Sequence, residues 1–214
     1  YDNCSCDGTV SVIEQNFPEV TVIQSRKNEG FGRGHNRIME QVDSVYHVLI
    51  NPDIAIETPV IGRMTAYMEK HQNISILLPK VLNTDGTEQF LPKRQPDFKF
   101  VVMSKFAPFK YYRKLYTGET EIADRPVKCQ NISGSFFIIK TEILKALGGF
   151  DERYFMYFED ADLAQRVINA GGSIVYHPDF CVYHEWKRDN TRSMRGICIF
   201  LCSMFKYMLK WKRF

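Results

Sequence analysis

The sequence predicts an α/β fold in which helices pack on a largely parallel sheet. Three observations carry that expectation. With 214 residues, 44% of them apolar and 25% charged, the chain has ordinary globular composition and is long enough to build one cored domain. Short runs that alternate apolar and polar residues take turns with runs at helical spacing. Polar residues and turn formers collect where the apolar runs end, which is where open α/β sheets bind ligands.

In chain order, "TVSVIEQNF" (9–17) has helical spacing, and "EVTVIQS" (19–25) alternates as a strand. "NEGFGRG" breaks the chain before a helix in "HNRIMEQV" (35–42), and the strand "VYHVLI" (45–50) stops at Asn51-Pro52-Asp53. Pro59 suits a first helical turn, because its missing N–H would be unpaired there anyway, so 58–71 reads as a helix. "SILLPKVL" (75–82) is strand-like, while 83–128, rich in Pro, aromatic and basic residues, reads as an irregular excursion over the sheet edge. A buried strand (134–140), a short helix (141–149) and a second helix from Glu159 follow; in the latter Asp162 and Arg166 pair at i,i+4 and Gly171 caps the end. "SIVYHP" and "FCVYHE" read as two closing strands.

Several polar groups in this pattern point to chemistry, and each has a plainer reading. Asn51-Pro52-Asp53 places a carboxylate at a strand end, where it can hold a divalent cation, yet Asn-Pro-Asp is also ordinary turn chemistry. Asp160 is a fair helix N-cap. Two adjacent acids behind "RYFMYF" also suit catalysis, since burial beside rings raises a carboxylate's pKa and makes it a better proton acceptor. The aromatic clusters at 98–116 and 150–158 are either core or a surface that stacks on sugar or base rings. His184 alone reads as a hydrogen-bonded strand residue. "GFGRGHN" is a weak match to a dinucleotide fingerprint, because its glycines at 30, 32 and 34 have the wrong spacing.

Taken together and in order, "DNCSCDGT", "NEGFGRGHN", "INPD", "GSFFIIK", "GGFDERYFMYFEDADLAQRV" and "VYH" resemble the family 2 glycosyltransferases of GT-A fold, nearest to the rhamnosyltransferase-like branch that builds bacterial surface polysaccharides. The resemblance extends to about Trp186. It implies a three-layer α/β/α sandwich with a mixed, mostly parallel sheet, and it places the donor nucleotide against Asp2, Asn28, Gly30, Gly34 and Asn36. Arg37 departs mildly from the family's Gly at its position. The resemblance further implies that Asn51 lies at the altered position of a D-x-D metal motif, with Asp53 as the retained metal ligand. His184 would complete the metal site, and Gly134 and Ser135 would approach the donor sugar. Asp160 would be the catalytic base, with Glu159 beside it near the acceptor and the aromatics shaping the acceptor pocket.

The reaction so implied is a single displacement with inversion, dependent on Mg²⁺ or Mn²⁺ and using a dTDP- or UDP-sugar, with rhamnose from dTDP-rhamnose the first expectation. The acceptor would be a saccharide or a polyprenyl-diphosphate-linked glycan, and nucleic acid is not among the partners. Family members start with a strand and helix before the "DN" motif, so the chain reads as lacking its first strand and helix and as beginning within a domain. Two other function classes stay open at this point. One is a sugar-phosphate nucleotidyltransferase, whose Gly-rich signature with Arg and Lys is not visible; the other is a non-catalytic nucleotide- or glycan-binding remnant of a transferase.

Residues 187–214 differ in character from the transferase-like domain at 1–186. Eight cations stand against Asp189 alone, giving the tail +7 and leaving −4 on the body. Ile197, Phe200, Leu201, Met204, Phe205, Met208 and Trp211 form a helical stripe too short to span a bilayer, which needs about 20 residues. Two readings follow: a terminal helix docked on the domain, or a basic amphipathic helix on an anionic membrane surface. The second would place the protein in the cytoplasm, peripherally on the inner face of the plasma membrane. The six cysteines lack zinc-site spacing and read as reduced thiols, in keeping with that compartment.

Overall fold

In a computed structural model, which describes residues 1–89, 94–103, 114, 123–185 and 193–213, the elements in chain order are α1 (Thr9–Asn16), α2 (Phe31–Met39), β1 (Tyr46–Ile50), β2 (Ile54–Ala55), α3 (Val60–Lys70), β3 (Ile76–Leu82), α4 (Phe98–Met103), β4 (Val127–Cys129), β5 (Phe136–Lys140), α5 (Thr141–Ala146), α6 (Glu159–Asn169), β6 (Ile174–His184) and α7 (Met194–Trp211). The strands make one sheet in the order β1-β5-β3-β6-β2, with β4 also paired to β6.

Period-2 alternation sends neighbouring side chains to opposite faces, and the two faces carry separate cores. Leu49, Ile76, Phe137, Ile139 and Ile174 pack with Leu144, Leu163 and Val167 from α5 and α6, and with Phe31 and Met39 of α2. Leu77, Phe136, Ile138, Val175 and Val182 face the other way, onto Val60, Met64 and Met68 of α3. The expected three layers are therefore present.

The mostly parallel sheet is not. Among the described residues only β3 and β6 form a parallel ladder, whereas the β1–β5, β3–β5, β2–β6 and β4–β6 ladders are antiparallel. The cause is where β5 enters. It begins at the edge where β1 and β3 end, so it must run against both; a parallel entry needs a return to the far edge first. The strand expected at 19–25 contributes only an isolated bridge from Gln24 to Asp2. The two closing strands are a single strand, β6, whose pairing with β3 shifts register between Pro79 and Lys80 where Pro178 interrupts it. Part of the excursion expected at 83–128, with most of the 98–116 aromatic cluster, lies outside the described residues, and the described part is not all irregular, since it holds α4 and the start of β4.

One face of the tail helix is core. Met204, Tyr207 and Met208 are buried against Tyr154, Phe158, Ala161 and Val101, with Phe200 and Trp211 packed alongside. Asp162, fully buried on α6, anchors this contact: its carboxylate accepts from Trp211 Nε1 at 2.9 Å and Arg166 Nε at 2.8 Å and pairs with Lys210 Nζ at 2.6 Å. Lys210 also reaches Asp151 at 2.8 Å, and Ser203 Oγ donates to the Met156 carbonyl at 2.8 Å. Half of the predicted stripe thus docks on the domain. Ile197, Leu201 and Phe205 remain exposed, joined on that outer face by Met194 and Leu209.

Candidate active site

One sheet edge gathers the candidate residues. β1 ends at Ile50 opposite Phe136, where β5 begins, and the Asn51 N–H donates to the Ser135 carbonyl at 2.9 Å. That bond locks the Asn51-Pro52-Asp53 turn beside Gly134 and Ser135. β6 runs parallel to β3 and finishes at the same edge, where Ile54 pairs with His184 and the Glu185 N–H donates to the Asp53 carbonyl at 3.0 Å. The outcome is a carboxylate facing an imidazole: Asp53 Oδ1 lies 3.2 Å from His184 Nε2. His184 is buried, and its Nδ1 is 3.0 Å from Gln89 Oε1.

A carboxylate and an imidazole nitrogen are a donor set that suits a divalent transition cation. Among the described residues no group of three or more His, Cys, Asp or Glu converges, and this pair is what they offer such a site. Substrate oxygens and water would complete the coordination.

The adjacent acids sit on a strained turn. Tyr157 and Phe158 both adopt left-handed backbone, with φ of 71° and 66°, and Phe158 caps α6. Each such residue costs about 1–3 kcal/mol and persists only where its surroundings fix it. Here the fixing comes from Phe158, buried against Phe200 and Tyr207 with ring centroids 5.4 and 5.5 Å away. The N-cap reading of Asp160 therefore falls, since Glu159 and Asp160 occupy the first turn inside the helix. Nor do all the aromatics of "RYFMYF" line a pocket. Tyr154 and Phe158 are core, and Phe155 and Tyr157 are left half-buried.

The two carboxyls have different surroundings. Asp160 Oδ2 accepts from the Gly134 N–H at 3.1 Å and Oδ1 from the Ala161 N–H at 2.8 Å, so it joins α6 to the entry of β5. Glu159 is 5% exposed, and its Oε2 is buried without a hydrogen-bond partner among the described residues. Burial, then the neighbouring Asp160 charge, pushes the Glu159 carboxyl up to about 8. Burial also raises Asp160, but its two backbone N–H donors favour the ionised form. The two acids titrate as a pair, in which the backbone donors favour charge on Asp160 over Glu159, whose Oε2 has no such donor.

The amino-terminal residues form a second cluster. Gly30 caps α2 with φ of 90°, and a Cβ there would lie 2.2 Å from the Phe155 carbonyl oxygen. That close approach lets the Phe31 N–H donate to Phe155 at 2.9 Å, tying the glycine loop to the turn that carries the acids. Asn28 Oδ1 accepts from the Gly30 N–H at 2.9 Å and from Asn3 Nδ2 at 3.1 Å. The Asp2 carboxylate accepts from the Ser5 N–H at 2.9 Å, and its hydrogen bonding with Ser5 holds it below the usual carboxylate range.

Gly34 and Asn36 turn toward the protein. A Cβ on Gly34 would meet the Tyr1 ring at 3.0 Å, while the Asn36 amide pairs with both the N–H and the carbonyl of Phe150, at 2.8 and 2.9 Å. Arg37 pairs with Glu29 at 3.2 Å. Asn3 and Gln89 escaped the sequence reading. Asn3 had a signal, its place beside Asp2 in the "DN" motif, whereas Gln89 sits in a stretch with no periodicity.

The family model described as "Glycosyltransferase like family 2" matches residues 2–197. The chain is 29% identical over 200 residues to N-acetylglucosaminyl-diphospho-decaprenol L-rhamnosyltransferase of Mycobacterium tuberculosis, covering 86% of this chain and 64% of that protein. It is 28% identical over 194 residues to rhamnosyltransferase WbbL of Escherichia coli, covering 85% and 70%. The chain thus spans under two thirds of the mycobacterial relative. Among solved structures it resembles GalNAc-T7 with UDP, GalNAc and Mn²⁺ (TM-score 0.64, 14% identity, 96% of this chain and 39% of that one). It also resembles the mannosyltransferase PcManGT of Pyrobaculum calidifontis with GDP-Man and Mn²⁺ (0.62, 16%, 98% and 53%).

The Glu159 environment has a stability consequence. Its folded pKa, about 8, lies above the ordinary 4.5, so the folded state holds a proton that the unfolded state releases. Stability is then lost as pH rises from about 4.5 to about 8. Glu159→Gln mimics the protonated form and should melt higher than the native protein, by a margin that widens by several degrees across that window. Parallel pH profiles of Tm for the two proteins would contradict the assignment.

Proposed function

We propose a reaction for a chain that belongs to the family 2 glycosyltransferases and has their GT-A fold: inverting transfer of rhamnose from dTDP-rhamnose to a polyprenyl-diphosphate-linked saccharide during cell-surface polysaccharide synthesis. The observation that carries it is the Asp160 carboxylate bound to the Gly134 N–H, at the sheet edge that also bears the Asp53–His184 pair. The two relatives, both named rhamnosyltransferases, favour the donor sugar, and the decaprenol in the mycobacterial name favours the lipid-linked acceptor.

In this reading Asp2, Asn28 and Gly30 hold the nucleotide, Gly34 and Asn36 support their loop, and Asn51, Gly134 and Ser135 border the donor sugar. Asp160 accepts the acceptor hydroxyl's proton as that oxygen attacks the anomeric carbon from the face opposite the leaving diphosphate. Glu159, protonated beside it, keeps a second negative charge away and can donate a hydrogen bond to the acceptor. Asp53 and His184 would hold a divalent cation, Mn²⁺ being favoured over Mg²⁺ by the imidazole ligand. Such an ion, when bound, neutralises the charge of the departing diphosphate.

A panel of labelled nucleotide sugars, offered with a polyprenyl-diphosphate saccharide, tests this directly. Transfer from dTDP-rhamnose should dominate, require Mn²⁺ or Mg²⁺, and fall at least 100-fold in Asp53→Ala. Transfer from no donor, or transfer indifferent to chelator, would refute the reading.

The outer face of α7 supplies the membrane contact. Among the described residues no helix is long and apolar enough to cross a membrane. Yet Met194, Ile197, Leu201, Phe205 and Leu209 are 41–76% exposed along that one face. Arg195, Lys206 and Lys212 are exposed on the same helix and its cap. An apolar face set among cations suits the headgroup boundary of an anionic leaflet, where each cation contributes about 1 kcal/mol. The protein would then sit peripherally on the inner face of the plasma membrane, beside its lipid-linked acceptor. Leu201→Glu with Phe205→Glu should abolish co-sedimentation with anionic vesicles while leaving Tm unchanged; undiminished binding would sink this placement.

A further inference from the structure

A tight hairpin brings a buried amide to the back of the histidine. After β3 the chain turns at Asp85-Gly86: Gly86 takes φ of 82°, the Asp85 carboxylate accepts from the Thr87 N–H at 2.9 Å, and the Asn83 N–H donates to the Thr87 carbonyl at 2.7 Å. The returning strand bridges Glu88 to Leu82, and the Gln89 N–H donates to the Val81 carbonyl at 2.8 Å. This turns the Gln89 side chain inward, where it is buried beside the end of β6.

The orientation of the Gln89 amide follows from its neighbours. Its Nε2 lies 2.9 Å from the His184 carbonyl and 2.8 Å from Asn83 Oδ1. A backbone carbonyl can only accept, so the amide's N–H₂ must point there and its oxygen must point at the ring. Gln89 Oε1 can only accept in turn, so His184 Nδ1, 3.0 Å away, carries the proton. In the neutral ring Nε2 is then bare, and it faces Asp53 Oδ1 at 3.2 Å. Two acceptor atoms at that distance favour a cation between them.

We propose that Gln89 is a positioning residue: it holds the Nδ1–H of His184, and so turns the Nε2 lone pair, together with the Asp53 carboxylate, toward a divalent cation. The inference rests on the metal reading of Asp53 and His184 and deepens it. Partners of this kind fix tautomer and ring orientation in metal-binding histidines, and their loss weakens metal binding by about 10–100-fold. Without Gln89 the carboxylate of Asp53, which also only accepts, would draw the proton to Nε2 and close that nitrogen to metal.

The test reads the tautomer apart from activity. In metal-free protein with ¹⁵N-labelled histidine, at about pH 8 where imidazoles are ordinarily neutral, long-range ¹H–¹⁵N NMR should show His184 as Nδ1–H. His184→Gln supplies the assignment. Gln89→Leu should move the proton to Nε2 and lower Mn²⁺ affinity, measured by electron paramagnetic resonance, by about 10–100-fold. A circular dichroism spectrum of Gln89→Leu that matches the native protein's guards against a folding defect in that variant. A native Nε2–H tautomer, or a tautomer or Mn²⁺ affinity unchanged in Gln89→Leu, overturns the role of Gln89. If the tautomer switches but the native protein takes up no Mn²⁺, it is the metal reading that fails, and Gln89's hold on the ring stands.

Discussion

The arrangement hangs on one buried carboxylate, Asp162. Its charge is fully withdrawn from water and must be matched, and Arg166, Lys210 and Trp211 match it. Breaking a buried pair by removing one partner typically costs about 3–5 kcal/mol, because the other charge is left unpaired. Lys210 and Trp211 come from α7, so the requirement clamps the last helix onto α6 and onto the aromatic turn before it. That clamp is what buries Phe158, and burial of Phe158 is what keeps two consecutive residues in left-handed backbone. The turn in turn delivers Glu159 and Asp160 to the sheet edge.

The same edge shows how adjacent acids come to differ. Asp160 projects toward the entry of β5 and meets backbone N–H groups, whereas Glu159 is packed away with one oxygen unpartnered. These surroundings favour charge on Asp160 over Glu159, the division that the proposed base beside a hydroxyl acceptor would use. The glycine loop contributes by closeness rather than by charge. Gly30 lets the loop backbone touch Phe155, so the glycine loop and the turn that carries the acids share a direct hydrogen bond.

Much of this was legible in the sequence. Periodicity located β1, α3, β3, β5 and α6 closely, because each buries a full face, and their motifs carried the family and the three-layer fold. Strand direction was not legible: alternation says which face a residue takes, not which way its strand runs beside a neighbour, and β5 runs against both of its own. Nor could a single helical stripe reveal that α7 has two apolar faces, one docked through Met204, Tyr207 and Met208 and one exposed through Leu201 and Phe205. Asp53, Asp160 and His184 were named from motif order, and the fold sets them along one edge. Gln89 had no such handle, since its role depends on a hairpin that pairs it with a residue 95 positions away.

The proposed role of Asp160, taking the acceptor's proton, is tested most directly by Asp160→Asn. The substitution keeps the side chain's shape but removes its basicity. Transfer should fall at least 100-fold, within the range that general-base catalysis supplies, while calorimetry shows nucleotide affinity within about threefold of native, since the base touches the acceptor rather than the donor. A variant that keeps more than a few per cent of native turnover, with the nucleotide still bound, would contradict that role.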